Sequence, residues 1–222
     1  MKEIEPYDAG ILPVADGRGF YSMLPEPLFM TSSSPTTSAP QGACPSQAAE
    51  VVAFWREAGP ARWFAKDEAF DAEFSARFLA LHHAAARREH EDWLAHADGA
   101  LALIILLDQL PRNAFRGSGH MFATDGLALS YAHRAIEAGH DREVDSALQR
   151  FFYLPLQHAE DRLEQVRSVA LSRRLDADFL KWAVLHQEII DRFGRFPHRN
   201  GVLGRRTTAD EQVFLDSGGF SG

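Results

Sequence analysis

Residues Gly99 to Leu110 read GALALIILLDQL and run directly into Pro111-Arg112-Asn113. The run is apolar on nearly every side, so as a helix it has to be central and buried. It is too short to cross a bilayer, which takes about 20 apolar residues. Proline disfavours helical geometry at the residue before it, so the helix is expected to end at Leu110. That end delivers Asp108, Gln109, Arg112 and Asn113 close to the core.

Amphipathic helices are expected on either side. Ser46 can cap a helix carrying Val51, Val52, Phe54 and Trp55, stopped near Gly59-Pro60. A second starts near Asp67 and buries Phe70, Phe74, Phe78, Leu81 and Ala85. It runs on into the charged stretch Arg87 to Asp92, with His82, His83 and His90 facing water. Downstream, Thr124 can cap a helix through Tyr131 and Ile136 that stops at Gly139. Another covers Asp141 to Tyr153 and meets Pro155. Leu156, Ala159, Leu163, Val166 and Ala170 make the stripe of the next, with Glu160 and Asp161 in its first turn. Phe179, Trp182, His186, Ile189, Ile190 and Phe193 line another, ended by Gly194. Thr208 and Glu211 have capping-box spacing for a last short helix. No segment alternates with period two. The expected fold is all-α, with about eight helices in antiparallel hairpins.

Residues 1–45 differ. They hold seven of the 11 prolines and the stretch TSSSPTTSAP, Thr31 to Pro40. They are expected to form a non-helical arm and linker, with residues 46–222 as one domain. One cysteine, Cys44, rules out an internal disulfide framework. The start lacks a signal-peptide pattern, and a cytoplasmic, soluble protein is expected. A formal net charge of −8 argues against nucleic-acid binding, and no membrane association is expected.

Chemistry concentrates in three places. The first is Asp108 to Asn113, where Arg112 and Asn113 are candidate ligand-binding residues. The second is Tyr153 to Asp161, where His158 sits at the boundary of an apolar stripe and Glu160 follows it. The third is His186 with FGRFPHRN, Phe193 to Asn200, and Arg205 beyond. Phe193 and Phe196 can anchor this turn while Arg195, His198 and Arg199, with Asn200 and Arg205, face a shared polar space. Guanidinium groups grip carboxylate or phosphate through paired hydrogen bonds, so an anionic small molecule is the natural guest. Internal carboxylates such as Asp108, Glu160 and Asp161 are equally legitimate partners. His158 and His186 are the candidate acid or base groups, with Glu160 to orient one of them. No phosphate-binding loop, dinucleotide fingerprint, nucleophile elbow or zinc-protease motif occurs. No cofactor can be named, and the histidine spacing matches no metal signature.

LALIILLDQLPRN (Leu101 to Asn113), FFYLPLQHAED (Phe151 to Asp161), and His186 followed by FGRFPHRNGVLGR (Phe193 to Arg205) resemble the bacterial family catalogued as domain of unknown function 924. Phe54-Trp55, Trp63-Phe64, Phe70-Asp71 and the segment Thr207 to Leu215 agree with it. The resemblance covers about residues 50–216 and implies a tetratricopeptide-like helical fold. It implies no activity and no catalytic residue. Two readings of function stay open: an anion-binding small-molecule enzyme or binder, and a helical module that binds a peptide or protein on a concave face.

Overall fold

The apolar run is the axis of the molecule. The structure, a computed structural model, describes residues 43–220, and every regular element among them is helical. The expectations for residues 1–42 lie outside the described residues. Helix α1 covers Ser46–Ala58, a single turn α2 covers Pro60–Trp63, and α3 covers Glu68–Ala86. Helix α4 (Ala97–Ile104) passes through a π-helical stretch (Ile105–Gln109) into α5 (Leu110–Ala114). Then come α6 (Asp125–Ala138), α7 (Ser146–His158), α8 (Arg162–Ser172), α9 (Ala177–Phe193) and α10 (Ala209–Asp216).

Leu101, Leu103, Ile104, Ile105, Leu106, Leu107 and Leu110 are all completely buried. Each such side chain contributes about 1.5–3 kcal/mol over an exposed one. They meet Val51 and Trp55 of α1, Phe74 and Phe78 of α3, Tyr131 of α6, and Phe151 and Phe152 of α7 in one core. Gly99 permits the axis to start there: a Cβ on it would lie 2.2 Å from the Trp93 carbonyl oxygen. A second, smaller cluster joins Ile189 and Ile190 of α9 to Phe196, with Phe193, Phe214 and Phe220 packed around them.

The helix does not stop at Leu110. An α-helix through Pro111 would lose a hydrogen bond and clash with its own previous turn. The chain widens instead, and the Leu110 N–H donates to the Ile105 carbonyl, five residues back. Pro111 still has no N–H to offer, and side chains serve the carbonyls nearby. His82 Nδ1 donates to Leu106 O at 2.8 Å, Thr124 Oγ1 to Leu107 O at 2.5 Å, and Arg112 to Asp108 O at 2.6 Å. This explains two departures from expectation. His82 is buried in the α3 stripe, where Leu81 was expected, and its protonated Nδ1 faces a carbonyl that can only accept. Thr124 precedes α6, but its hydroxyl serves Leu107 rather than capping its own helix.

The region around Pro155 also differs. Pro155 lies inside α7, which runs to His158. Asp161 caps α8 instead of sitting in its first turn, accepting from the N–H groups of Leu163 and Glu164. The stripe read across both helices is therefore split. Leu156 is buried in α7, while Leu163 and Val166 of α8 are 70% and 53% exposed. Helix α8 turns Gln165, Ser168, Val169 and Ser172 inward. Gln165 Nε2 reaches the carbonyls of Gln157 (2.8 Å) and Ala159 (2.7 Å), which close the end of α7. Asp67, Gly139, Gly194 and the Thr208–Glu211 capping box terminate their helices as expected.

Candidate functional site

The π-helical stretch aims Asp108, at the seam between the main core and the C-terminal cluster, towards the end of α7. Asp108 is completely buried, and its Oδ1 lies 2.7 Å from His158 Nδ1. Oδ2 accepts from Gln109 Nε2 at 2.6 Å, and Arg112 stands 3.3 Å from Oδ1. Burial works to raise the Asp108 pKa. The charge of Arg112 and the contacts with His158 and Gln109 outweigh it, and the carboxyl is held well below the usual carboxylate range. Burial, then the charge of Arg112, pushes His158 below its ordinary value against the pull of Asp108. At neutral pH the pair is therefore a neutral imidazole donating from Nδ1 to an ionised carboxylate. Nε2 carries the lone pair, and among the described residues the imidazole's one hydrogen bond is that of Nδ1 to Asp108.

Arg112 is fully engaged. Besides its contacts at Asp108, it grips Asp125, at the start of α6, with two hydrogen bonds of 2.8 and 2.9 Å. Arg199, in the short turn Pro197–Arg199, is the opposite case. Its side chain is 7% exposed, and its nearest counter-charge is Asp125 Oδ2 at 3.6 Å, outside hydrogen-bonding distance. Among the described residues its guanidinium makes no hydrogen bond, and Nε is buried without a partner. The ring centres of Phe122 and Phe196 lie 4.6 and 4.4 Å from its central carbon. Burial, then the charge of Arg112, pulls its pKa down to about 10, so it stays charged at neutral pH.

His186 donates from Nδ1 to the Trp182 carbonyl at 2.8 Å and packs its ring on Phe196 and Phe220. Burial pushes it down to about 3 and His198 to about 4, so both are neutral at pH 7. His198 Nδ1 is buried with no partner among the described residues.

The remaining predicted site residues are occupied within the fold. Glu160, expected to orient a histidine, instead takes two hydrogen bonds from Arg205 (2.6 and 2.9 Å) and the N–H of Phe196 (2.8 Å). Arg195 grips Glu211 at 2.6 and 2.8 Å, and Asn200 Nδ2 reaches the same carboxylate at 3.2 Å. Arg195 and the Thr208 N–H hold Glu211 down to about 2. Asn113 turns away to Asp71 of α3 at 2.5 Å. These contacts lock the C-terminal turn and α10 in place. What converges from the predicted set is His158, Arg112 and Arg199, with His186 and His198 behind them. Asp125 and Phe122 complete the group and were not among the residues singled out. An acid at a helix start reads as a dipole partner, and nothing in the sequence places Phe122 beside Arg199.

Two surface clefts lie elsewhere. One of about 220 Å³ is lined by Cys44, His96, Asp98, His140 and Glu143, the other, of about 170 Å³, by Phe54, Phe70 and Arg77. Among the described residues no group of three or more His, Cys, Asp or Glu side chains is placed to hold a metal ion. No helix among them is long and apolar enough to cross a membrane.

A family model described as a bacterial protein of unknown function (DUF924) matches residues 51–219. The solved structure of a protein of unknown function from Agrobacterium tumefaciens is similar, with 52% sequence identity and a TM-score of 0.75. The match covers 77% of this chain and 97% of that one. No curated protein matches.

Proposed function

The chain belongs to the DUF924 family of bacterial proteins, and we propose that it is a small-molecule enzyme or binder that seats an anionic group at Arg199. One observation carries this reading: a guanidinium that is 7% exposed and makes no hydrogen bond within the described fold. Buried N–H donors left without acceptors carry a desolvation cost that a counter-charge at 3.6 Å and two aromatic rings offset only in part, so they call for an acceptor from outside. The neighbouring Asp108–His158 pair supplies the chemistry. A neutral imidazole held by a buried carboxylate through Nδ1 offers Nε2 as a general base.

A thermal-shift screen with small carboxylates and phosphates at pH 7 tests the reading. The wild type is expected to rise in unfolding temperature with a saturating anion, because a ligand selective for the folded state stabilises it. Arg199→Ala is expected to lose that response while still unfolding cooperatively. His158→Asn keeps a donor for Asp108 but no base, so it should bind the same anion and turn nothing over. An equal shift in Arg199→Ala removes the proposal.

The second reading, a tetratricopeptide-like interaction module, draws support from α8. Its outward Leu163 and Val166 are flanked by Arg162, Arg167, Arg173 and Arg174 on a chain that is acidic overall. An acidic amphipathic helix of a partner protein fits that face by charge and polarity. A labelled Glu/Leu helical peptide should bind the wild type and lose at least tenfold in affinity for Leu163→Asp/Val166→Asp. Equal binding by both removes this second reading.

A further inference from the structure

We infer that the guest at Arg199 is a monocarboxylate rather than a phosphate ester or inorganic phosphate; the inference rests on the anion-site reading above. The charge balance of the seat leads to it. Two cations, Arg112 and Arg199, face two carboxylates, Asp108 and Asp125; the nearby Glu160 is balanced by Arg205, and the three neighbouring imidazoles are neutral at pH 7. Without a guest the seat is neutral overall, so each negative charge brought in is an excess charge facing Asp108 and Asp125 at low dielectric. A phosphate monoester brings about 1.5 to 2 charges at neutral pH, a carboxylate only one.

The donors agree with the charge count. Arg112, Arg195 and Arg205 each spend paired N–H groups on Asp125, Glu211 and Glu160, whereas the Arg199 guanidinium makes no hydrogen bond among the described residues. One guanidinium edge presents two parallel N–H groups, which match the two oxygens of a carboxylate and leave the third oxygen of a phosphate unserved. Nε of Arg199 is fully buried, so the terminal nitrogens are the ones a guest can reach. They lie beside the Phe122 and Phe196 rings, which suit an apolar substituent on the acid better than a hydrated one.

Titration calorimetry at pH 7 in Tris chloride, with acetate, benzoate, methylphosphonate and inorganic phosphate as probes, tests the inference on the full chain. Acetate and benzoate are expected to bind at one site with at least tenfold higher affinity than either phosphorus acid, and Arg199→Met is expected to lose that binding. Phosphate or methylphosphonate binding equal to or tighter than the carboxylates, and lost in Arg199→Met, overturns the carboxylate assignment and leaves the anion seat standing. No binding by any probe, or binding unchanged in Arg199→Met, overturns both. Should Arg199→Met not fold, the affinity order on the wild type alone decides the carboxylate question.

Discussion

Two arginines six residues apart behave oppositely, and their variants should show it. Arg205 holds Glu160 and the turn at Phe196, so Arg205→Met is expected to cost about 1–3 kcal/mol in urea unfolding, the range for losing charge-assisted hydrogen bonds. Arg199 has no such bonds to lose and meets Asp125 only at 3.6 Å, so in ligand-free buffer Arg199→Met is expected to lose less stability than Arg205→Met. A loss larger than that of Arg205→Met contradicts the description of Arg199 as a guanidinium without hydrogen bonds. The sequence marked both as members of one basic turn and could not separate them. Which carboxylate each would meet depends on Glu160 and Asp125, brought in from the ends of other helices.

At the scale of the helix, the decisive feature is the π-helical stretch before Pro111. His82→Ala leaves the Leu106 carbonyl buried without its donor and is expected to cost about 1–3 kcal/mol, measured by urea unfolding. Val166→Gln, on the outward face of α8, should fall within about 0.5 kcal/mol of the wild type. A change as large as that of His82→Ala would show that this face is packed. Periodicity located the buried axis, most of the α3 and α9 stripes and the helix ends at Asp67, Gly139, Gly194 and Thr208, because apolar spacing and caps are local signals; Ser46 and Thr124 do not cap their helices, and Trp182 of α9 faces outward. It could not show that the helix widens past Pro111 or that Pro155 lies inside α7. A proline's cost depends on whether distant side chains such as His82 and Thr124 serve the carbonyls it leaves. The α8 stripe misled for the same reason: Gln165 faces inward because it meets the carbonyls at the end of α7, and Ser168 and Ser172 are buried on the same face, none of them being apolar.

For the molecule as a whole, the histidines set an acid limit. His186 and His198 titrate near 3 and 4 in the fold, below the unfolded value of about 6.5. Above pH 6.5 neither state binds the proton, and their contribution is complete. As pH falls from 6.5 towards 4 the unfolded chain takes up protons that the fold refuses, and stability drops by up to about 1.4 kcal/mol per pH unit for each histidine. Unfolding free energies at pH 7, 5.5 and 4.5 should show this slope, and His186→Phe should reduce it; an unchanged slope in the variant contradicts the assignment. The all-α architecture was legible from the sequence; the wider polar group drawn there around His158 and Arg199 loses Glu160, Arg195 and Asn113 to contacts within the fold. The pairing that leaves Arg199 without a hydrogen bond was not legible, because it is set by three-dimensional neighbours. The most direct measurement is the side-chain NMR signal of Arg199, assigned by its absence in Arg199→Met, during titration with acetate at pH 7. If Arg199 seats the anion, its terminal N–H signals should sharpen and separate as acetate saturates. Signals that stay unchanged at saturating acetate contradict the account.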